Sequence, residues 1–407
     1  MRTRGTFGKA ILLATLVLAA GCGDDNSGGD DDGPIGPPAP PPPPPPPPAG
    51  LSLTVAGGGN NVPDRFTSDL WVHGDHAYTG TWGGPRAEGE AGNALKIWSL
   101  STSGAPSLVD SLIVPGIGTV SDVEVSADGA VLMFSAELGQ AEGLYLYDLA
   151  DPEAPVLLDS VHVERGLHTA TFAEIAEGRY AFTAKNPPSP ALRIFDVTDP
   201  AAIAAAATVP IPPAYGIHDT YVRDGLAFVF AWNTGVIIYD VGNGVRGGSP
   251  TAPAEVSRLV TEEGVAKAPA VHNGWWFHNP VSGEARYLFI GQEGPGTIGL
   301  MASGDIHVVD VSDLANPREV AVFHLAGAGA HNFWMDEARQ ILYAAYYNGG
   351  VVALDVSGTL TGDLTDRLID RIEPGGDGNT YVWGVMLANG SLYASDMLSG
   401  LWQIRVE

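Results

Sequence analysis

From position 51 onward the apolar residues come in short runs, and many of the runs stop at an aspartate. Leu144-Tyr145-Leu146-Tyr147-Asp148, Leu192-Arg193-Ile194-Phe195-Asp196, Val236-Ile237-Ile238-Tyr239-Asp240, Ile306-His307-Val308-Val309-Asp310 and Val351-Val352-Ala353-Leu354-Asp355 are five copies of one element. Degenerate copies stand at Leu95-Lys96-Ile97-Trp98-Ser99 and Leu401-Trp402-Gln403-Ile404-Arg405. The seven run ends are 49, 48, 44, 70, 45 and 50 residues apart, which predicts seven units, one of them with a long insertion. Each unit holds four strand-like runs. In the fourth these are 220–222, 226–231, 236–241 and 254–259, with Arg223-Asp224-Gly225 as a hairpin turn. A helical period is essentially absent, so the pattern predicts an all-β, seven-bladed β-propeller of four-stranded blades over 51–407. The last unit lacks its fourth run, and Leu51-Ser52-Leu53-Thr54-Val55 is predicted to supply it, removing the exposed edge.

Several runs continue into a turn: Asp148-Leu149-Ala150-Asp151-Pro152, Asp196-Val197-Thr198-Asp199-Pro200 and Asp310-Val311-Ser312-Asp313. Asp, Ser and Thr side chains hydrogen-bond nearby backbone amides, and Pro presets φ. These aspartates are therefore expected to be architectural. Trp275-Trp276-Phe277 and Trp334 are expected to pack between blades.

The first fifty residues follow another pattern. Arg2, Arg4 and Lys9 precede an apolar stretch over 10–20 that is too short to span a bilayer, and Cys22 follows Leu18-Ala19-Ala20-Gly21. This resembles the lipobox of bacterial lipoproteins. The resemblance implies a signal peptide over 1–21, acylation of Cys22, and, because Gly23 follows, sorting toward the outer membrane or cell surface. Residues 22–50 read as a tether, first Asp/Gly-rich and then nine consecutive prolines from Pro40 to Pro48, a stiff extended rod. Cys22 is the only cysteine, so no disulfide within the chain supports the ring. The net charge of −27 argues against nucleic acid and anionic membrane surfaces as partners, leaving the lipid as the expected membrane contact. Nothing in the pattern indicates an oligomer.

The apolar strand followed by Asp-Val-Ser/Thr-Asp-Pro resembles the LVIVD-repeat family of bacterial surface proteins. The resemblance covers 51–407 and implies a surface-exposed propeller.

Aligned at the start of the first strand, the units read Ser68, Ser121, His168, His218, His272, His331 and Trp383. First strands line a propeller's channel, so four histidines on consecutive blades can converge. Neutral imidazoles in such a cluster suit zinc, copper or iron, with one side open to substrate. Glu137 and Glu293, following second strands, are candidate oxygen ligands or a general base. Histidine-mouthed propellers occur among metal-dependent oxidases of the selenium-binding type, an analogy of fold only. Alternatively, repeated histidines near this position can be hydrogen-bond links between strands, as in WD-repeat propellers. The next column reads Asp69, Asp122, Thr169, Asp219, Asn273, Asn332 and Gly384, a set suited to calcium. Because strand side chains alternate, only one of the two columns is expected to face inward.

The leading expectation is a non-catalytic surface module that binds a protein, a glycan or an envelope component. The alternative is a metal-dependent oxidase or hydrolase. Gly-rich segments at 83–92 and 292–304 are expected to overhang the histidine face.

Overall fold

The computed structural model describes residues 50–59, 65–83, 92–101, 104–212, 216–262 and 269–407. The signal, Cys22 and nearly all of the tether lie outside them, as does most of the 83–92 segment.

The described chain forms seven sheets of four antiparallel strands; six run in sequence order from inside to outside, the seventh takes its outer strand from the start of the ring, and the fifth adds a short parallel pairing at Gly362–Asp363. The fold is the seven-bladed propeller that the apolar runs predict. The fourth blade comprises Asp219–Arg223, Leu226–Phe230, Val236–Asp240 and Ala254–Leu259. Every Asp-terminated apolar run is a third strand, buried on both faces because neighbouring blades cover it on each side. Outer strands such as Ser107–Ile113 and Val156–His162 are largely exposed. Stability comes from apolar layers between blades. Phe182 and Ile194 of the third blade, for example, meet Val229 and Ile237 of the fourth.

The turn aspartates are structural, as expected. The first Asp of each turn accepts from the amide two residues on: Asp148 from Ala150 N at 3.0 Å, Asp196 from Thr198 N at 3.0 Å and Asp310 from Ser312 N at 3.0 Å. Asp310 is further held by Arg286 at 2.7 Å.

The seventh blade is closed by the first strand, Leu53–Gly58, which pairs antiparallel with Gly400–Val406 from Leu53↔Val406 to Gly58↔Trp402. Leu53 N also donates to Asp370 Oδ2 of the sixth blade at 2.6 Å, tying the closure to its neighbour. The long spacing between the fourth and fifth apolar runs is not one insertion. It is spread over the connections between Val236–Asp240, Ala254–Leu259, Val271–Phe277, Tyr287–Gln292 and Ile306–Asp310.

One local irregularity positions the channel chemistry. The inner strands of five blades carry a β-bulge at the histidine column: Thr67/Leu70, Val120/Asp122, Leu167/Ala170, Val271/Asn273 and Val382/Gly384. In the sixth blade His331 N donates to Ala345 O while Ala345 N donates to Asn332 O, so two residues again face one. A bulge inserts a residue and breaks the two-residue alternation. Consequently both columns face the channel, and the expectation that only one would do so is wrong.

Candidate metal centre at the mouth of the channel

The four column histidines meet. Ring centroids are 4.5 Å apart for His168–His218, 4.8 Å for His218–His272 and 4.1 Å for His272–His331. Candidate ligand atoms of His168, His218 and His272 lie within 4.8 Å of one another, and so do those of His272, Glu293 and His331. His272 belongs to both triads. These side chains line a cavity of about 570 Å³ whose wall also includes Trp82, Trp232, Tyr381 and Trp383.

Each imidazole is presented differently. His168 Nδ1 faces Glu137 Oε1 at 2.7 Å, and His331 Nδ1 donates to Trp383 O at 2.6 Å. Both contacts leave Nε2 for another partner, the arrangement of a ligand imidazole oriented by an oxygen acceptor. His218 Nδ1 is buried and has no hydrogen-bond partner, whereas His272 has Asn273 beside it as a side-chain partner. A structural link between strands would satisfy such an atom; the His218 nitrogen meets the cost of burial with nothing in return.

Glu137 does not line the cavity. It accepts from Ser121 Oγ at 2.7 Å and from Asn186 Nδ2 at 2.5 Å, and so stands behind His168. Burial raises its carboxyl, but His168 and these donors outweigh burial and leave it below the usual range. Burial likewise opposes charge on His168, yet Glu137, with help from Glu293 and Asp122, pushes it up to about 9. The other three imidazoles are neutral. Burial and neighbouring imidazoles hold His218 and His272 well below the ordinary value, and burial takes His331 down to about 3. Glu293 lines the cavity, its Oε2 4.0 Å from His272 Nε2 and its Oε1 accepting from Tyr347 Oη at 2.5 Å. It comes from the 292–304 segment, which does overhang the histidine face: Gly294, Pro295, Gly296 and Ile298 form part of the wall.

Trp232 and Tyr347 were not foreseen. Each follows a second strand in the left-handed region, φ 49° and 44°, and bridges to the next blade's inner strand. Non-glycine residues adopt that conformation at a cost of about 1 kcal/mol or more, and they cluster at functional sites. The signal was an aromatic residue recurring just beyond a second strand.

Below the imidazoles the second column forms a carboxylate layer. Asp69 and Asp122 hydrogen-bond to each other, and Asn332 Nδ2 donates to Asp69 Oδ1 at 2.8 Å. Asp122 Oδ2 accepts from Ala170 N at 2.9 Å, and Glu124 Oε2 from Phe172 N at 2.7 Å. Burial, reinforced by their mutual proximity, raises the carboxyls of Asp69, Glu124 and Asp219; burial also raises Asp122. Gly384 completes the column, and a Cβ there would stand 2.7 Å from Asp69 Oδ1. No convergent triad of His, Asp or Glu ligand atoms occurs in this layer among the described residues.

Trp275 and Trp334 pack against the apolar layers between blades, as expected, and also line the channel; Trp276 packs between blades against Phe228.

No protein family and no curated protein sequence matches the chain. Among solved structures it is similar to the β-propeller domain of Cps50 (Swd1) from Myceliophteria thermophila, at 13% sequence identity and a TM-score of 0.54, covering 83% of this chain and 96% of that one. At that identity the similarity speaks for the fold alone. The chain is a β-propeller, a fold compatible with an interaction module.

Proposed function

We propose that the protein is an exported, Cys22-tethered lipoprotein of the LVIVD-repeat kind whose propeller holds a transition metal at its histidine mouth and admits a small-molecule substrate. The observation that carries this reading is the convergence of four imidazoles, one of them with a buried unpartnered nitrogen, beneath an open cavity. Three neutral imidazoles and His168 form a nitrogen-rich donor set suited to zinc, copper or iron. Such an ion supplies Lewis acidity or redox chemistry, and Glu293 offers an oxygen ligand or a base beside it. Glu137 keeps the His168 proton on Nδ1, so His168 ligates through Nε2 only after releasing its second proton. The aromatic wall favours a substrate with an apolar part.

The test is elemental analysis of the purified protein beside His218→Ala. Near-stoichiometric metal in the parent, lost in a variant that melts normally, supports the reading. No metal after reconstitution with zinc, copper and iron overturns it. A non-catalytic surface module for a protein or glycan then takes first place, favoured by the exposed Leu300 and Met301 at the tip of the overhanging segment. For the anchor, Cys22→Ser is expected to move the protein from the membrane to the soluble fraction.

A further inference from the structure

Beneath the mouth the channel narrows to a second cavity of about 260 Å³, to which the proposed metal chemistry assigns no role. Four carboxyl groups enter it: Asp69, Asp122, Glu124 and Asp219. None of them is ion-paired to an arginine or lysine among the described residues, in a protein that pairs Asp310 with Arg286, Asp355 with Arg367 and Glu337 with Arg223 elsewhere. Asn273 also lines the cavity and is 3% exposed.

The same cavity is lined by an arc of aromatic rings. Tyr221, Trp275, Trp334 and Trp71 occupy one position, three residues beyond the histidine column, on the fourth, fifth, sixth and first blades. Centroids are 5.2 Å apart for Tyr221–Trp275, 5.4 Å for Trp275–Trp334 and 6.2 Å for Trp71–Trp334, none of the pairs being stacked. Tilted rings of this kind give the cavity aromatic faces and edges instead of a closed apolar plug.

We propose that this waist is a binding site for a small organic ammonium cation. Carboxyls that no arginine or lysine pairs with among the described residues supply the charge on giving up their protons to the incoming cation, and indole and phenol faces supply the cation–π contact that a desolvated ammonium prefers. A hard divalent ion is a poorer fit. It needs six to eight oxygens in one sphere, and here, among the described residues, no three carboxyl groups converge, while six of the twenty lining residues are aromatic. Entry does not require passage through the imidazole layer. A cavity of about 310 Å³ shares Trp71, Glu124 and Phe172 with the waist and reaches the Asp224-Gly225 hairpin turn on the opposite side.

The experiment is calorimetric titration of the whole protein with choline chloride and with its neutral isostere 3,3-dimethylbutan-1-ol, followed in parallel by tryptophan fluorescence. Choline is expected to saturate a single site and to bind ~10-fold or more tightly than the alcohol. Trp275→Leu and Glu124→Gln should each weaken choline by about tenfold, and Trp275→Phe should retain most of the affinity. Glutamine keeps the acceptor for Phe172 N, and normal melting together with an unchanged metal content verifies that each variant is folded. Equal binding of alcohol and cation, absence of saturable choline binding, or displacement of choline by one equivalent of calcium would each overturn the proposal.

Discussion

The imidazole layer and the carboxylate layer are neighbours on the same inner strands, yet burial drives them to opposite ends of their titration. At the mouth, burial favours neutral bases: His218, His272 and His331 are held low, and only His168, backed by Glu137, carries charge. One to three residues further along, burial favours protonated acids, and Asp69, Glu124 and Asp219 are held high. Nitrogen donors thus stand ready for a soft or borderline metal, while the oxygen donors await a counter-charge. In six of the seven blades a single inserted residue separates the two environments, which shows how a bulge can place two chemistries in one channel.

The sharpest way to break the comparison is at His272, the member shared by both triads. His272→Ala is expected to take metal binding below detection by elemental analysis, whereas Asp122→Asn should leave metal content intact.

The second effect concerns pH. His168 has a folded pKa of about 9 against an ordinary 6.5, so its contribution is fully present below 6.5 and lost as pH rises through 9. The metal-free protein should lose roughly 3 kcal/mol of stability over that window. The raised carboxyls act in the same direction from the ordinary carboxylate range upward. The three depressed imidazoles act on the other side, removing stability as pH falls below 6.5. Urea denaturation across pH, with the His168 ring protons followed by NMR, checks this; constant stability between 6.5 and 9 would rule it out.

A smaller change is expected from Glu137→Gln. Loss of an oriented carboxylate behind a ligand imidazole should weaken metal binding by about 10- to 100-fold and return His168 toward its ordinary value. Smallest is Gly384→Ala, which crowds Asp69 Oδ1. About 1 kcal/mol of destabilisation is expected, with metal affinity unchanged. A loss of metal there would mean that the two layers are not separable.

Much of the ring was readable from residue types alone. The Asp-terminated runs, their turns and the closing strand near Leu53 follow from local rules of burial and capping. The histidine column was readable too, because repetition places equivalent residues at equivalent depth. The orientation of the second column was not readable, since a bulge leaves no mark in a pattern of alternating side chains. The channel-facing roles of Trp275 and Trp334 were hidden for a related reason: an indole suits a blade interface and a channel wall equally well. The position of Glu137 behind His168 depends on a contact between blades that no spacing within one repeat encodes.

The closure has a consequence in time as well as in space. Leu53 is made early and its partner Val406 is made at the end, so the first strand must wait through synthesis of the entire ring before it can pair. Until then the seventh blade lacks its outer strand, and the column of histidines stands on an open arc. The wall of the mouth includes Tyr381, Trp383 and Met397 of the seventh blade, so it is complete only once that blade has been made.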